Sequence, residues 1–593
     1  MTYQAPVDDI MFTLRTAADL DGLNERGIYD GLDEETLRAI IEEAGRFGAE
    51  VLAPLNRTGD VQGAVLKDGG VVTPEGWRDA YRQFREAGWN ALTGPEEFGG
   101  QNLPEIVSSA TSEIWNAANL AFGLCPLLTM GAIDALKVYG SKELLETYLP
   151  KMVSGEWTGT MNLTEPQAGS DLGGLRTRAE PQADGTYRVF GTKIYITYGD
   201  HDLTDNIIHM VLARLPDAPA GTKGISLFLV PKVLVNADGS LGERNDVIAA
   251  GVEYKLGIHA SPTCTMKYGE NGGAVGYLVG EENRGLAAMF VMMNAARLAV
   301  GLQGVAQADR ATQHAIAYAN ERNQGRGPRA KRGEMSPIIE HADIRRTVMK
   351  MRAATNAARA ICLVTARELD IAERAGNKEE REAAHMRAAL LTPIAKAYST
   401  DIGVEVASLG VQVHGGMGYV EETGAAQFYR DARILPIYEG TNGIQAIDLV
   451  TRKLPLGDGA VAMALIDELS ETVDEVRASN RPEFGLMAER LGEAVDALKR
   501  TSLWLGEQIQ QNPEAALAGA TPYLRLFGLT AGGVYLARGA LAAARDNGGT
   551  ASTRVILARF WAETEVALAP GLATAITEGT EGLLAMPVER LSA

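Results

Sequence analysis

Tyr187-Arg188-Val189-Phe190 and, two residues later, Lys193-Ile194-Tyr195-Ile196-Thr197-Tyr198 are dense in β-branched and aromatic side chains, and Asp184-Gly185 just ahead of them is a hairpin-turn signal. Here the chain stops reading as helix. Asn206 to Leu215 and Ile225 to Val230 continue as strands, and Val252 to Tyr268 is a further one, interrupted by Pro262. Upstream the spacing is helical. Leu37, Ile40, Ile41 and Ala44 share one face behind a cap at Asp33 or Thr36, and Leu144, Leu145, Tyr148 and Leu149 repeat the pattern in 141–153. Gly94-Pro95 to Gly99-Gly100 is a loop by composition. Downstream, long amphipathic stretches run at 285–322, 339–375 and 379–409, and further helices are marked by Leu465/Ile466/Leu469/Val473/Val476, by Leu491/Val495/Leu498/Leu505, and by 523–544 and 552–568 on either side of Asp546-Asn547-Gly548-Gly549. Helices, strands, helices and then more helices do not alternate as βαβ units do. The expected fold is α+β, mostly α: an N-terminal helical domain (1–158), a central β domain (159–280), a C-terminal helical domain (281–455) and an additional helical module (456–593).

Composition narrows the function. The 593 residues are 46% hydrophobic and 22% charged, as in an ordinary packed protein. Lys and Arg total 56 against 76 Asp and Glu, a balance of −20, which argues against binding nucleic acid by phosphate neutralisation. The three cysteines are far apart and the seven histidines form no HxxxH or HExxH, so neither a disulfide framework nor a zinc site has support, and a reducing compartment fits. The N-terminus lacks the basic and apolar regions of a signal peptide. Leu286 to Val305 is interrupted by Asn294, Arg297 and Gln303 and reads as a buried helix, too polar to span a bilayer. The expectation is a soluble cytoplasmic protein with no nucleic-acid or membrane partner.

GxGxxG after a strand, GxxxxGK[ST] and GxSxG are all absent. Five other clusters stand out. Thr164-Glu165-Pro166-Gln167-Ala168-Gly169-Ser170-Asp171 reads as a plain turn or as a loop aiming N–H and hydroxyl groups at a polar ligand. Gln412-Val413-His414-Gly415-Gly416-Met417-Gly418 lets backbone approach a pyrophosphate or another helix. Tyr438-Glu439-Gly440-Thr441-Asn442 precedes a helix capped by Thr441 or Asn442. Its carboxylate is either solvent-facing, as loop glutamates usually are, or a base tuned between helix dipole and burial. Asn294-Ala295-Ala296-Arg297 follows the β block, and Glu321-Arg322-Asn323-Gln324-Gly325 closes the same helix. Arg322 is either an ordinary helix-end residue or a phosphate ligand. Arg326, Arg329, Lys331 and Arg332 form a short basic loop.

In this order the clusters resemble the acyl-CoA dehydrogenase family over roughly residues 30–455. Thr164 to Asp171 is similar to its flavin-binding signature, Lys193 to Thr197 to the strand beside the flavin ring, Gln412 to Gly416 to the second flavin signature, and Tyr438 to Thr441 to the catalytic loop. The resemblance implies FAD between the β domain and a C-terminal four-helix domain, touching a neighbouring subunit. It implies Thr164, Ser170, Tyr195 and Thr197 around the flavin and the thioester arm, with Ser170 also a substrate contact. Arg322 would meet the FAD pyrophosphate across a subunit interface, and Gln412, Gly415, Gly416 and Thr441 the nucleotide portion. Asn294 and Arg297 would lie near the adenine end of CoA, Arg430 would be a further CoA contact, and Gly440 would flank the substrate. Glu439 would remove the α proton of an acyl-CoA thioester while the β hydrogen leaves as hydride to flavin N5, giving a trans-2-enoyl-CoA, and its backbone N–H would help hold the thioester oxygen. An electron-transfer flavoprotein would reoxidise the flavin, and the protein would be a homodimer or homotetramer.

The sequence departs from the family pattern in four places. Ala296 stands where some members carry their base, which leaves Glu439. The aromatic of Arg-x-x-Phe-Gly is missing after Arg322, Gly443 stands where Gln is frequent, and 456–593 follows the usual end. That extension, the opening Tyr3-Gln4-Ala5-Pro6-Val7-Asp8-Asp9-Ile10 and the wording of Tyr438 to Gln445 resemble a subgroup that oxidises 3-(methylthio)propanoyl-CoA to 3-(methylthio)acryloyl-CoA during dimethylsulfoniopropionate breakdown. The extension is expected to cover a protomer or dimer surface. Alternatives within the fold are a short- or medium-chain fatty acyl-CoA dehydrogenase, an acyl-CoA oxidase and a DNA-associated alkylation-response flavoprotein. The last would need a basic face, and the extension has no basic run.

Overall fold

The computed structural model describes residues 3–592 except 30, 329, 332 and 546–548, with residues 549–551 described by backbone alone. Arg329 and Arg332 of the basic loop, and most of the Asp546–Gly549 turn, lie outside the described residues.

An eight-stranded sheet occupies the centre. Its order is Val247–Val252, Thr263–Tyr268, Tyr187–Thr197, Ala274–Val279, Ser226–Pro231, Asn206–Ala213, Trp157–Asn162, with Arg178–Pro181 also paired to Tyr187–Thr197. All neighbours are antiparallel except Trp157–Asn162 with Asn206–Ala213, which is parallel. Asn206–Ala213 and Ser226–Pro231 are buried throughout, because alternate side chains feed two different cores. Ile208, Met210, Leu212, Leu227 and Leu229 face the helices Leu120–Tyr139 and Lys142–Val153, whereas Val211, Ala213, Phe228 and Val230 pack within the β domain.

Some details differ from the sequence reading. Within Val252 to Tyr268 only Thr263–Tyr268 is a strand; Val252 ends the preceding strand Val247–Val252, and Pro262, which has no N–H to give a ladder, sits just ahead of Thr263. A small hairpin, Val65–Lys67 with Gly70–Val72, interrupts the N-terminal helices. Gly285–Glu321 does have the length and apolarity of a membrane span, as do Leu120–Tyr139 and Ala520–Ala543. In the fold 72%, 50% and 78% of the apolar windows of Leu120–Tyr139, Gly285–Glu321 and Ala520–Ala543 are buried inside the protein.

Behind the sheet lie the long helices Gly285–Glu321, Ala342–Arg374 and Lys378–His414, completed by Ala425–Ala432 and Asn442–Asp448. The first and third cross at unusually short range. A Cβ on Gly301 would stand 2.7 Å from the Ala395 carbonyl oxygen, and one on Gly304 2.3 Å from that of Ser399. Only glycine permits this approach.

The extension helices Ala460–Ala478, Met487–Gln511 and Ala520–Ala543 pack on the same bundle. Gly528 rests on the ring of the buried Tyr398, Arg525 grips Glu405 with both terminal nitrogens at 2.7 and 2.9 Å, and Glu468 accepts from Arg387 of the bundle at 2.5 Å. Arg554 lies 3.5 Å over the Phe12 ring, tying the extension to the N-terminal helix Val7–Thr16.

Candidate active site

Pro436 to Asn442 makes a turn that ordinary residues resist. Glu439 has φ +55° and Gly440 φ +82°, two left-handed residues in succession, and the first is not glycine. The surroundings enforce the conformation. The Tyr438 hydroxyl donates to Gln303 Oε1, and Gln303 Nε2 donates to Asn116 Oδ1 at 3.2 Å. Thr441 is the helix cap, its hydroxyl accepting from the Ile444 N–H at 3.3 Å. Lys396 Nζ donates to the Gly440 carbonyl and to Asn442 Oδ1, both at 2.8 Å. Asn442 Nδ2 in turn reaches Asp401 at 2.7 Å and Thr400 at 3.0 Å.

The Glu439 side chain is partly exposed and not turned out to bulk water. Burial raises its carboxyl above the ordinary glutamate value, against the pull of Arg297 and then Lys396. Burial pushes Lys396 down to about 7, opposed by the charges of Glu439 and Asp401. Among the described residues the Glu439 backbone N–H has no acceptor. A half-open, partly desolvated carboxylate beside an unengaged N–H is equipped to take a proton from a carbon acid while the N–H meets the adjacent oxyanion.

Thr164, Tyr195 and Thr197 form a second group on the sheet. The Ile194 N–H donates to the Thr164 carbonyl at 2.9 Å, fastening the 164–171 loop along the strand. A bulge opposite Thr265 turns Tyr195 to φ +60° and leaves it 61% exposed, so its ring is presented outward. Thr197 receives the Thr160 hydroxyl on its carbonyl at 2.7 Å. Glu165, part of the same motif, is inward: it pairs with the fully buried Lys193 at 2.9 Å and accepts the Arg176 and Thr177 N–H groups at 2.7 and 3.0 Å, which fixes the loop. Ser170 is exposed.

Gln412, Gly415 and Gly416 form a third group, exposed at the end of Lys378–His414, and Cβ atoms on either glycine would meet nothing within 4 Å. Arg322 caps the end of Gly285–Glu321, exposed, with Nη2 on Gln324 at 3.3 Å. Twenty-five helical steps separate it from Arg297, about 37 Å at 1.5 Å each, so the two arginines cannot touch the same group of one ligand.

Two of the expected CoA contacts are engaged within the protein. Arg297 is 9% exposed, coupled to the Glu439 charge and 4.0 Å from Asp448, so it lies in the surroundings of the Glu439 turn. Asn294, exposed one turn earlier, accepts from Arg297 at 3.4 Å and so shares that placement. Arg430 has no donor left for CoA. Its Nε goes to Glu421, Nη1 to Asp60 and the Leu256 carbonyl, and Nη2 to Asp60 at 2.6 Å and Glu421 at 2.9 Å.

Family models match nearly the whole chain: acyl-CoA dehydrogenase, N-terminal domain at 34–156, middle domain at 160–268 and C-terminal domain at 283–454, then acetyl-CoA dehydrogenase C-terminal like at 465–587. The chain belongs to the acyl-CoA dehydrogenase family. It is 50% identical over 543 residues, 92% of each protein, to the 3-methylmercaptopropionyl-CoA dehydrogenase of Ruegeria pomeroyi. Its fold matches Caenorhabditis elegans ACDH-11 in complex with C11-CoA (TM-score 0.78, 20% identity, 99% of this chain and 96% of that one). It also matches an acyl-CoA dehydrogenase from Bacillus anthracis complexed with FAD (TM-score 0.74, 21% identity, 95% and 91%). Both structural matches span the extension, so an acyl-CoA dehydrogenase core followed by a further helical domain is an established arrangement of this fold.

Motif reading missed Lys396, Gln303 and Gln445. The last is buried and sends Nε2 to the Glu439 carbonyl at 3.3 Å. One signal was available for Lys396: it is the lone charge in the run Leu390 to Ala397, and a buried lysine there demands partners.

Proposed function

We propose that this acyl-CoA dehydrogenase is FAD-dependent and converts 3-(methylthio)propanoyl-CoA to 3-(methylthio)acryloyl-CoA, a trans-2-enoyl-CoA. The observation that carries the reaction is the Glu439 turn: a partly desolvated carboxylate, fixed by two left-handed residues, with its own N–H unengaged. The 50% identity to the R. pomeroyi enzyme across 92% of both chains supports the substrate.

In this reading Glu439 removes the proton on the carbon next to the thioester. Its N–H donates to the thioester oxygen as negative charge develops there. Arg297 and Lys396 keep the carboxyl from being protonated as fully as burial alone would require. The residues present suit a flavin. Tyr195 offers an exposed aromatic face on a bulged strand, Thr164 is fastened beside that strand through its carbonyl, Ser170 is exposed on the same loop as Thr164, and Gly415–Gly416 leave uncovered backbone for a nucleotide. FAD, when bound, supplies the acceptor for the hydrogen and electron pair leaving the β carbon.

An electron-transfer flavoprotein is the proposed acceptor, a homodimer or homotetramer the proposed assembly, and Arg322 the proposed contact to a neighbouring subunit's pyrophosphate. The cytoplasm is the proposed compartment, supported by three buried free cysteines.

The test is anaerobic bleaching of the bound flavin by a panel of acyl-CoAs. 3-(Methylthio)propanoyl-CoA should bleach it fastest. Faster bleaching by butanoyl- or octanoyl-CoA would replace the substrate, and no bleaching by any thioester would end the reading. Peroxide release in aerobic turnover would instead make the protein an oxidase.

A further inference from the structure

The Lys396 side chain is fully buried, and its Nζ makes two hydrogen bonds of 2.8 Å, both into the catalytic turn. One goes to the carbonyl of Gly440, the peptide that follows Glu439. The other goes to Asn442, which is itself locked to Ala397, Thr400 and Asp401. Lys396 lies on Lys378–His414 between Ala395 and Ser399, the residues that abut Gly301 and Gly304 of the neighbouring helix. We propose that Lys396 is a positioning residue for the reaction: its ammonium fixes the backbone that aims the Glu439 carboxylate and supplies a positive charge that favours the ionised base. The inference rests on Glu439 being the base.

The geometry separates this role from that of a core lysine. A lysine buried only for packing would be satisfied by any carbonyl on its own helix or a neighbour. Both contacts here go to residues within three positions of Glu439, at a turn where two consecutive left-handed residues, the first of them a glutamate, must be maintained. The charges facing Lys396 are Glu439 and Asp401, which favour its ammonium, and Arg297, which opposes it. Its charge and that of Glu439 are therefore coupled, and the two titrate as a pair.

The experiment measures the rate of anaerobic flavin bleaching from pH 5 to 9 for the intact FAD-bound enzyme and for Lys396→Met, Lys396→Arg and Glu439→Gln. Lys396→Met should keep its flavin, bleach about tenfold or more slowly at pH 7, and move the acid limb of the profile upward by about one pH unit, as loss of a neighbouring opposite charge requires. Lys396→Arg, which keeps the cation, should move the limb back toward its original place. An unmoved limb in Lys396→Met, whatever its rate, would reduce Lys396 to a packing residue. Should Lys396→Met fail to fold, Lys396→Gln decides by the same criterion, because it removes the charge while keeping a polar side chain for the buried site. The Glu439→Gln control keeps the two ideas apart. If that variant bleaches normally, the base assignment fails; if it is inactive while Lys396→Met has a wild-type limb, only the lysine's role falls.

Discussion

Replacing Glu439 by Gln removes a proton acceptor and preserves almost everything else. The side chain keeps its volume, the backbone N–H is untouched, and the contacts that hold the turn come from Tyr438, Gly440, Thr441 and Asn442. FAD content and acyl-CoA binding should therefore be retained. Loss of a positioned base costs about 10²–10⁴ in rate, and about 10³ corresponds to about 4 kcal/mol of barrier. Stopped-flow bleaching under anaerobic conditions reads this directly.

The same substitution has a second, opposite signature in stability. The folded carboxyl titrates above its ordinary value because burial disfavours the anion. Below the unfolded value both states are protonated and the group contributes nothing. As pH rises through the folded value, the native state must carry a partly desolvated charge, which Gln never carries. Glu439→Gln should thus melt at a higher temperature than wild type at pH 8, with the difference vanishing near pH 4. Wild-type bleaching should fail as pH falls through a midpoint above 4.5. A variant that bleaches nearly normally, or one that melts lower than wild type at pH 8, would refute the account of this carboxylate.

Three further outcomes follow from the packing. Arg430→Ala strips two bidentate partners from Asp60 and Glu421 and should lower stability by about 1–3 kcal/mol in thermal or urea unfolding, while leaving CoA affinity intact, since the guanidinium is already fully engaged. Lys193→Met leaves the Glu165 carboxylate, held down to about 2 by Lys193 and backbone donors against the cost of burial, without its cation. It should destabilise by about 3–5 kcal/mol at neutral pH, measured by denaturant unfolding, and loosen flavin retention, because Glu165 anchors the 164–171 loop. Truncation after residue 455 should give aggregated protein, since it uncovers Tyr398 and the helix faces on which Gly528 and Gly532 rest. A soluble truncated oligomer with normal FAD content would show that the extension is dispensable.

The order of periodicities was enough for the architecture. The strands at 187–198, 206–215 and 225–230 and the helices from 285, 342 and 378 are legible because alternation by two and by three to four leaves different marks on a one-dimensional chain. Glu439 too could be singled out, since a glutamate between tyrosine and glycine just ahead of a capped helix is a local pattern. Partnership was not legible. Arg297 and Arg430 sit in sequence clusters equally suggestive of phosphate binding, yet one is coupled to Glu439 and the other is consumed by Asp60 and Glu421, residues 370 and 9 positions away along the chain. Lys396 is silent in sequence for the same reason. Its ammonium acquires a partner only when the fold brings it to the turn 44 positions onward. Local chain chemistry determines which segments are helix, strand or strained turn. Which charge answers which is a matter of distance through space, and that is set by the packing of segments remote in sequence.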